Sequence, residues 1–198
     1  MPNLNSGRKS LAAKITEPVI RLLAKTPLTP NAITLIGFAI TIAAGALAFT
    51  EHLVAAGVTL AVAGIFDMLD GGLARLTGRV TKFGAILDST LDRISEALVL
   101  VGLLAVFVRD AQLLESMLIG AALVGSLLTS YTRARMEGLG VECKAGLFTR
   151  TERVIVTALG LVLSSFDHVL LIMLIIITVL SWYTVVERML YARRNLKS

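Results

Sequence analysis

The sequence predicts an all-α polytopic membrane protein: six transmembrane helices preceded by an N-terminal interfacial amphipathic helix. Three observations carry this. Of 198 residues, 56% are hydrophobic and only 17% charged, against roughly 25% charged in an ordinary globular domain. Mean hydropathy is +0.81. Six apolar runs follow one another with short polar breaks, most of them near the roughly 20 residues that cross a bilayer core of about 30 Å. This composition excludes a disordered chain, a nucleic-acid-binding tail protein and a soluble α/β enzyme, and no nucleic-acid partner is expected. Six such helices leave no room for a second folded domain, so residues 1–198 are read as one domain with its bundle over 31–188. The single cysteine, Cys143, excludes an internal disulfide. Residues 1–30 are interrupted by Pro18, Pro27 and Pro30, and no cleavable leader is expected.

Residues 10–25 place Leu11, Ile15, Val19, Leu22 and Leu23 on one helical face and Lys14, Glu17, Arg21 and Lys25 largely elsewhere. That pattern predicts a helix lying on the membrane surface, although a mere connector would also satisfy it. The apolar runs fall at 31–49, 53–75, 83–108, 113–132, 153–166 and 168–188. The third is long and opens on a polar turn; the fifth is short and opens on Glu152 and Arg153. With six crossings, every one of the 19 lysines and arginines except Arg109 falls on the side of the termini. The positive-inside rule makes that side cytoplasmic, in the cell membrane. Its cationic face suits anionic lipid headgroups.

Acids inside a membrane are costly and need a reason. The second run ends FDMLDGGLARLTGR and the third begins KFGAILDSTLDRISE. Asp67 and Asp70 are three apart, Asp88 and Asp92 four apart, so each pair shares a helix face, and a short hairpin can bring the two faces together. Four converging carboxylates without a counter-ion would repel. Hard oxygen donors at this density suggest Mg²⁺, Mn²⁺ or Ca²⁺, as one ion or two. Two carboxylate-bridged metals can hold a diphosphate for in-line displacement at phosphorus. Gly71, Gly72 and Ala74 thin the helix after the acids, as Gly84 does on the next, so a backbone or a nucleotide can approach. Arg75 can grip a phosphate with its planar fork. The competing reading is a hairpin cross-linked by Asp–Arg pairs, with Arg75, Arg79 and Arg93 as partners.

The run Asp67-x2-Asp70-Gly71-x2-Ala74-Arg75-x8-Gly84-x3-Asp88-x3-Asp92 resembles, position for position, the signature of the CDP-alcohol phosphotransferases. The six-helix layout with cytoplasmic termini resembles that family too. The resemblance implies transfer of a phosphate-linked group from a CDP-alcohol to an acceptor hydroxyl, with release of CMP. It implies a site for Mg²⁺ or Mn²⁺, two ions, made by Asp67, Asp70, Asp88 and Asp92, with Asp92 as general base. It implies that Gly71, Arg75 and Thr81 contact the CDP part, with Ala74 and Gly84 in the same signature, and that the protein is a homodimer. Pro30-Asn31-Ala32-Ile33-Thr34 resembles family segments that lie against the cytidine, which brings in Asn31 and Thr34; helix capping by Asn31 is an equal alternative.

Arg133, Arg153 and Arg188 stand at the membrane ends of three different runs and are placed to converge on a dianion, hence on an acceptor that already carries a phosphate. Ser130-Tyr131-Thr132-Arg133-Ala134-Arg135, Glu152-Arg153 and Arg188 resemble the phosphatidylinositol phosphate synthase branch of the family, with Arg133 in place of a lysine and Arg150 near a further basic position. That branch implies an inositol phosphate acceptor and a CDP-diacylglycerol or CDP-archaeol donor. Glycerol 3-phosphate would suit the same arginines. From other classes, a divalent-cation transporter remains conceivable, though the outer half holds no matching acids; a membrane scaffold would leave the acidic motif unexplained. Glu96, one turn beyond Asp92, is read as structural, His52 and His168 as solvated, and Trp182, Tyr183 and Tyr191 as an interfacial aromatic belt. Gly37, Gly45, Gly120 and Gly125 permit close packing within the chain or between copies.

Overall fold

The computed structural model describes residues 16–196. Among them are seven helices and no strand: α1, described over 16–23, then α2 (Pro30–Phe49), α3 (Leu53–Leu76), α4 (Lys82–Arg109), α5 (Leu113–Gly138), α6 (Arg150–Val162) and α7 (Val169–Asn195). Residues 10–15 of the expected amphipathic helix lie outside the described residues. Local chemistry sets the starts. Thr29 caps α2, its hydroxyl accepting the Ala32 N–H at 3.2 Å with Pro30 next in line. Asn31 is therefore not the cap. Thr81 caps α4 by accepting the Gly84 N–H at 2.9 Å. Glu152 reaches back to the Thr149 N–H at 2.9 Å and closes a capping box on α6. The α3–α4 turn passes through Gly78 at φ +65°, a conformation that favours glycine.

Helices α5 and α7 run on to Gly138 and Asn195, past the ends of their apolar runs. The added residues are mostly good helix formers such as Arg, Met, Glu, Leu and Ala. The end of an apolar run marks the edge of the apolar surface, not the end of the helix. Four helices, α2, α3, α5 and α7, are long and apolar enough to cross a membrane, rather than the six expected. Helix α4 has 28 residues but carries Asp88, Asp92, Arg93 and Glu96 within its first fifteen. Helix α6 has 13 residues, about 20 Å at 1.5 Å per residue.

Helix α2 packs on α3 and α4, α4 on α5, α5 on α7, α7 on α6, and α6 on α3. This closes a ring of six. One apolar cluster draws on every member, from Ala44 and Leu60 through Leu103 and Ile119 to Leu161 and Leu174. Helix α1 lies against the outside, with Ile20 and Leu23 on Ile33, Leu69 and Leu73. Its Ile20 fills the space left by Gly72. Three of the four singled-out glycines serve contacts within the chain: Gly37 faces Phe66, Gly45 faces Leu98 and Gly125 faces Ser181 and Trp182. Gly120 has nothing within 4 Å of the place a Cβ would take. Trp182 is tied to α5 by its indole N–H, which donates to the Ala121 carbonyl at 3.1 Å. At the end holding the 50–52, 110–112 and 163–168 loops, Arg109 donates to the Phe49 carbonyl at 2.6 Å and pairs with Glu51 at 3.3 Å, joining α4 to α2. His52 and His168 are exposed there, as expected.

Gly57 of α3 lies directly against the backbone of α6. A Cβ there would stand 2.7 Å from the Val162 nitrogen and 2.8 Å from the Ala158 carbonyl oxygen. At Gly64, two turns on, a Cβ would meet only Val154 Cγ1, at 3.8 Å. Gly57→Ala is expected to cost roughly 1–3 kcal/mol by overpacking and to lower the thermal midpoint of detergent-purified protein by several degrees, while Gly64→Ala leaves it unchanged or slightly raised. Equal midpoints for the two variants would refute this account of the α3–α6 contact.

Candidate active site

The last turns of α3 and the first turns of α4 meet across the 77–81 turn and carry the acidic motif. Asp70 is 4% exposed. Its Oδ2 accepts the Thr34 hydroxyl at 2.7 Å, and its Oδ1 accepts the Gly71 N–H. The Thr34 oxygen also lies 3.1 Å from the Pro30 carbonyl, so the first turn of α2 fixes the Asp70 carboxylate. Asp67 and Asp92 share one partner, Arg150, the first residue of α6. Its Nη2 lies 2.7 Å from Asp67 Oδ2 and its Nη1 lies 2.7 Å from Asp92 Oδ1.

On one side of the acids opens a cavity of about 320 Å³. It is lined by Asn31, Thr34, Gly71, Ala74, Arg75, Thr81 and Gly84, together with Asp70 and Asp88. All seven residues expected to meet the CDP part therefore share one wall. The small residues keep it open: a Cβ on Gly84 would lie 2.9 Å from the Thr81 hydroxyl and 3.0 Å from Asn31 Oδ1. With Thr29 as the cap, the Asn31 amide is left to the cavity.

On the other side lies a second cavity, of about 370 Å³. Asp88 and Asp92 border it, as do Arg133, Arg150, Arg153 and Arg188. The three arginines expected to bind the acceptor share this wall, but they stand in different states. Arg133 is exposed and pairs with Glu137 at 2.8 Å. Arg188 is 4% exposed; its Nε donates to the Ala145 carbonyl at 3.2 Å and its Nη1 to the Thr129 carbonyl. Arg153 is 1% exposed. Its Nε and Nη2 donate to the two oxygens of Glu96 at 2.6 and 2.9 Å, and its Nη1 to the Thr129 hydroxyl at 3.0 Å. Its donors are thus engaged within the protein. Glu96 has the structural role expected, with Arg153 as the partner that the sequence reading did not assign.

Helix α6 is positioned by the loop before it. The Leu147 N–H donates to Glu187 Oε2 at 3.1 Å and the Phe148 N–H to the Thr184 hydroxyl at 3.2 Å, both on α7. Cys143 of this loop is buried beside Met136 and Ala192, its thiol donating to the Ala145 carbonyl at 3.4 Å. Arg150 is the residue that sequence reasoning did not place among the acids. Its spacing to Arg153 carried a signal: three residues apart, the two share a face, as do Asp92 and Glu96.

Among the described residues no group of three acidic, histidine or cysteine side chains is gathered closely enough to enclose a metal ion as they stand. Three of the four aspartates have found protein partners: Thr34 and Gly71 for Asp70, the Arg150 guanidinium for one oxygen each of Asp67 and Asp92. The donor set nevertheless fits a hard divalent ion. It consists of carboxylates, and the partner bridging two of them is itself a cation.

The family model for CDP-alcohol phosphatidyltransferase matches residues 27–193. An archaetidylinositol phosphate synthase of Pyrococcus horikoshii is 38% identical over 190 residues, 93% of this chain and 95% of its own. The crystal structure of Mycobacterium tuberculosis phosphatidylinositol phosphate synthase with CDP-DAG bound is similar with a TM-score of 0.80 at 34% identity, covering 89% of this chain and 92% of that one. The same enzyme in complex with manganese and citrate gives a TM-score of 0.79 at 34% identity, covering 88% and 87%. With its signature lining two cavities that meet at the aspartates, the chain belongs to the CDP-alcohol phosphatidyltransferase family.

Proposed function

We propose that the protein transfers a phosphatidyl or archaetidyl group from CDP-diacylglycerol or CDP-archaeol to a hydroxyl of 1D-myo-inositol phosphate, releasing CMP. One observation carries the reading: a cavity lined by the nucleotide residues and a cavity lined by arginines share the wall made by Asp88. The names of the relatives, synthases of archaetidylinositol phosphate and phosphatidylinositol phosphate, support the acceptor.

In this mechanism Asp67, Asp70, Asp88 and Asp92 hold Mg²⁺ or Mn²⁺, two ions, which when bound supply positive charge to the diphosphate and its leaving oxygen. Arg75 forks onto a phosphate of the donor, while Asn31, Thr34, Gly71, Ala74, Thr81 and Gly84 bound the nucleotide. Arg133 and Arg188 take the acceptor phosphate, and Arg153 shapes the floor beneath it. Asp92, at the edge of the acceptor cavity, takes the proton of the attacking hydroxyl. The hydroxyl oxygen bonds to the phosphorus that carries the lipid, and the bond from that phosphorus to CMP breaks with its electron pair leaving on CMP.

We infer a multi-pass cell-membrane protein in which α4 and α6 complete six crossings, their charged first turns at the cytoplasmic interface with both termini. On this reading α1 lies in that interface: Val19 and Leu22 are exposed beside the exposed Glu17–Arg21 pair, as a surface-lying amphipathic helix requires. A homodimer is proposed with it, and the open Gly120 position of α5 is where a second helix could approach closely.

Purified protein with a CDP-lipid and Mn²⁺ is expected to release CMP with inositol 1-phosphate and not with glycerol 3-phosphate, free inositol or serine. Turnover with glycerol 3-phosphate alone would overturn the acceptor. Asp92→Asn is expected to lower kcat by about 10²–10⁴-fold with the thermal midpoint retained; near-normal turnover would remove Asp92 as base. Arg133→Ala is expected to raise the acceptor KM while the donor KM holds. Arg153→Met, which strands the buried Glu96 charge, is expected to destabilise by about 3–5 kcal/mol, visible as a lower unfolding midpoint before any assay of activity.

A further inference from the structure

Arg150 and Arg153 leave the same face of α6 and both meet acids, yet their surroundings differ. Arg153 is sealed, with its guanidinium hydrogen-bonded through Nε and both Nη nitrogens. Arg150 keeps 25% of its side chain exposed. Its Nε is buried without a hydrogen-bond partner, an arrangement that costs free energy while it lasts. Its two salt bridges go to carboxylates that the reaction needs, Asp67 on α3 and Asp92 on α4. The same side chain lines the arginine-walled cavity beside Arg133 and Arg188.

We propose that Arg150 is a displaceable counter-ion that couples metal binding to acceptor binding. Without a divalent ion its guanidinium holds Asp67 and Asp92 together against their mutual repulsion. An ion that takes those carboxylates displaces it, and the freed fork faces the cavity where the acceptor phosphate docks. Arg150 is thus a positioning residue that competes with the metal, and it sets an order: ion first, acceptor second. By linkage, whatever acceptor affinity the ion adds through Arg150, the acceptor adds to ion affinity by the same factor. No bond is made or broken in this exchange; one cation replaces another on two carboxylates, and Arg150 stays protonated throughout.

The inference rests on the proposed ion site at the aspartates, and the test separates the two. Mn²⁺ alone is titrated calorimetrically into the full chain in detergent, as wild type, Asp88→Asn, Arg150→Gln and Arg150→Lys, with thermal midpoints taken with and without Mn²⁺. Wild type is expected to bind Mn²⁺ and Asp88→Asn to bind it at least tenfold more weakly. Arg150→Gln is expected to bind tenfold or more tightly than wild type, and its midpoint to fall below wild type without Mn²⁺ while the gap closes at saturation. Arg150→Lys, which keeps the charge but cannot bridge two carboxylates with one fork, is expected to fall between. If wild type and Asp88→Asn bind alike, the ion site at the aspartates fails and this inference with it. If Asp88→Asn weakens binding but Arg150→Gln and Arg150→Lys leave Mn²⁺ affinity unchanged or lower, the ion site stands and Arg150 is no competitor.

Discussion

The structure depends on how a charged pair of helix faces is neutralised inside an apolar bundle. Helices α4 and α6 are not neighbours in the ring, which runs α2, α3, α6, α7, α5, α4. They are joined across the middle by side chains alone. Asp92 and Glu96 lie one turn apart on α4, Arg150 and Arg153 one turn apart on α6, and the two sets meet rung for rung. Buried ion pairs contribute little net stability, because desolvation offsets most of the attraction. What they fix is register. A slip of α6 by one residue would leave Glu96, 9% exposed, with no partner. The second cavity opens beside these rungs, bordered by α4, α5, the start of α6 and Arg188 of α7.

That constraint explains why the two arginines of α6 have different uses. The deeper rung, Arg153 with Glu96 and Thr129, is closed off and behaves as part of the frame. The outer rung, Arg150 with Asp67 and Asp92, borders open volume. The frame rung holds the position from which the outer rung can move without loosening the bundle. Arg188 joins the same frame from α7, bonded to carbonyls of the 139–149 loop and of α5. The loop that carries α6 into place is thereby tied to the helix that carries Arg188.

The grouping of the acids was legible in the sequence because its information is local. Spacing along α3 and α4 places Asp67, Asp70, Asp88 and Asp92 on facing turns, and a short hairpin leaves few ways to arrange them. The seven residues that the resemblance assigned to the CDP part line one cavity, five from α3, the turn and α4 and two, Asn31 and Thr34, from α2. Partner choice across the bundle was not legible. An arginine at a helix start reads the same whether it faces Glu96, Asp92 or an empty pocket; only the packing of α6 on α3 and α7 decides. Hence Arg153 proved to be engaged within the protein, and Arg150 to stand among the acids. Capping shows a smaller case. Asn31 and Thr29 are both good caps, and the backbone at Pro30 selects Thr29. The helix count was legible too, with seven helices among the described residues. Length and hydropathy alone single out four of them as membrane spans, because α4 carries charged side chains in its early turns and α6 is short.

Asp88 sits where these strands of argument meet. It borders both cavities, and unlike Asp67, Asp70 and Asp92 it makes no side-chain hydrogen bond or close ion pair among the described residues. A carboxylate placed between the two cavities, with its neighbours tethered to α2 and α6, is suited to face an ion from a fixed frame. Asp70 is pinned by α2 through Thr34, and Asp67 and Asp92 are joined through α6. The geometry of the site is therefore shared among four helices, and its precision comes from the ring closing, as the glycine contact between α3 and α6 lets it do. Chemistry at the charged end is thus tied to packing at the apolar end, since the one helix α6 carries both the rungs and the surface that meets Gly57.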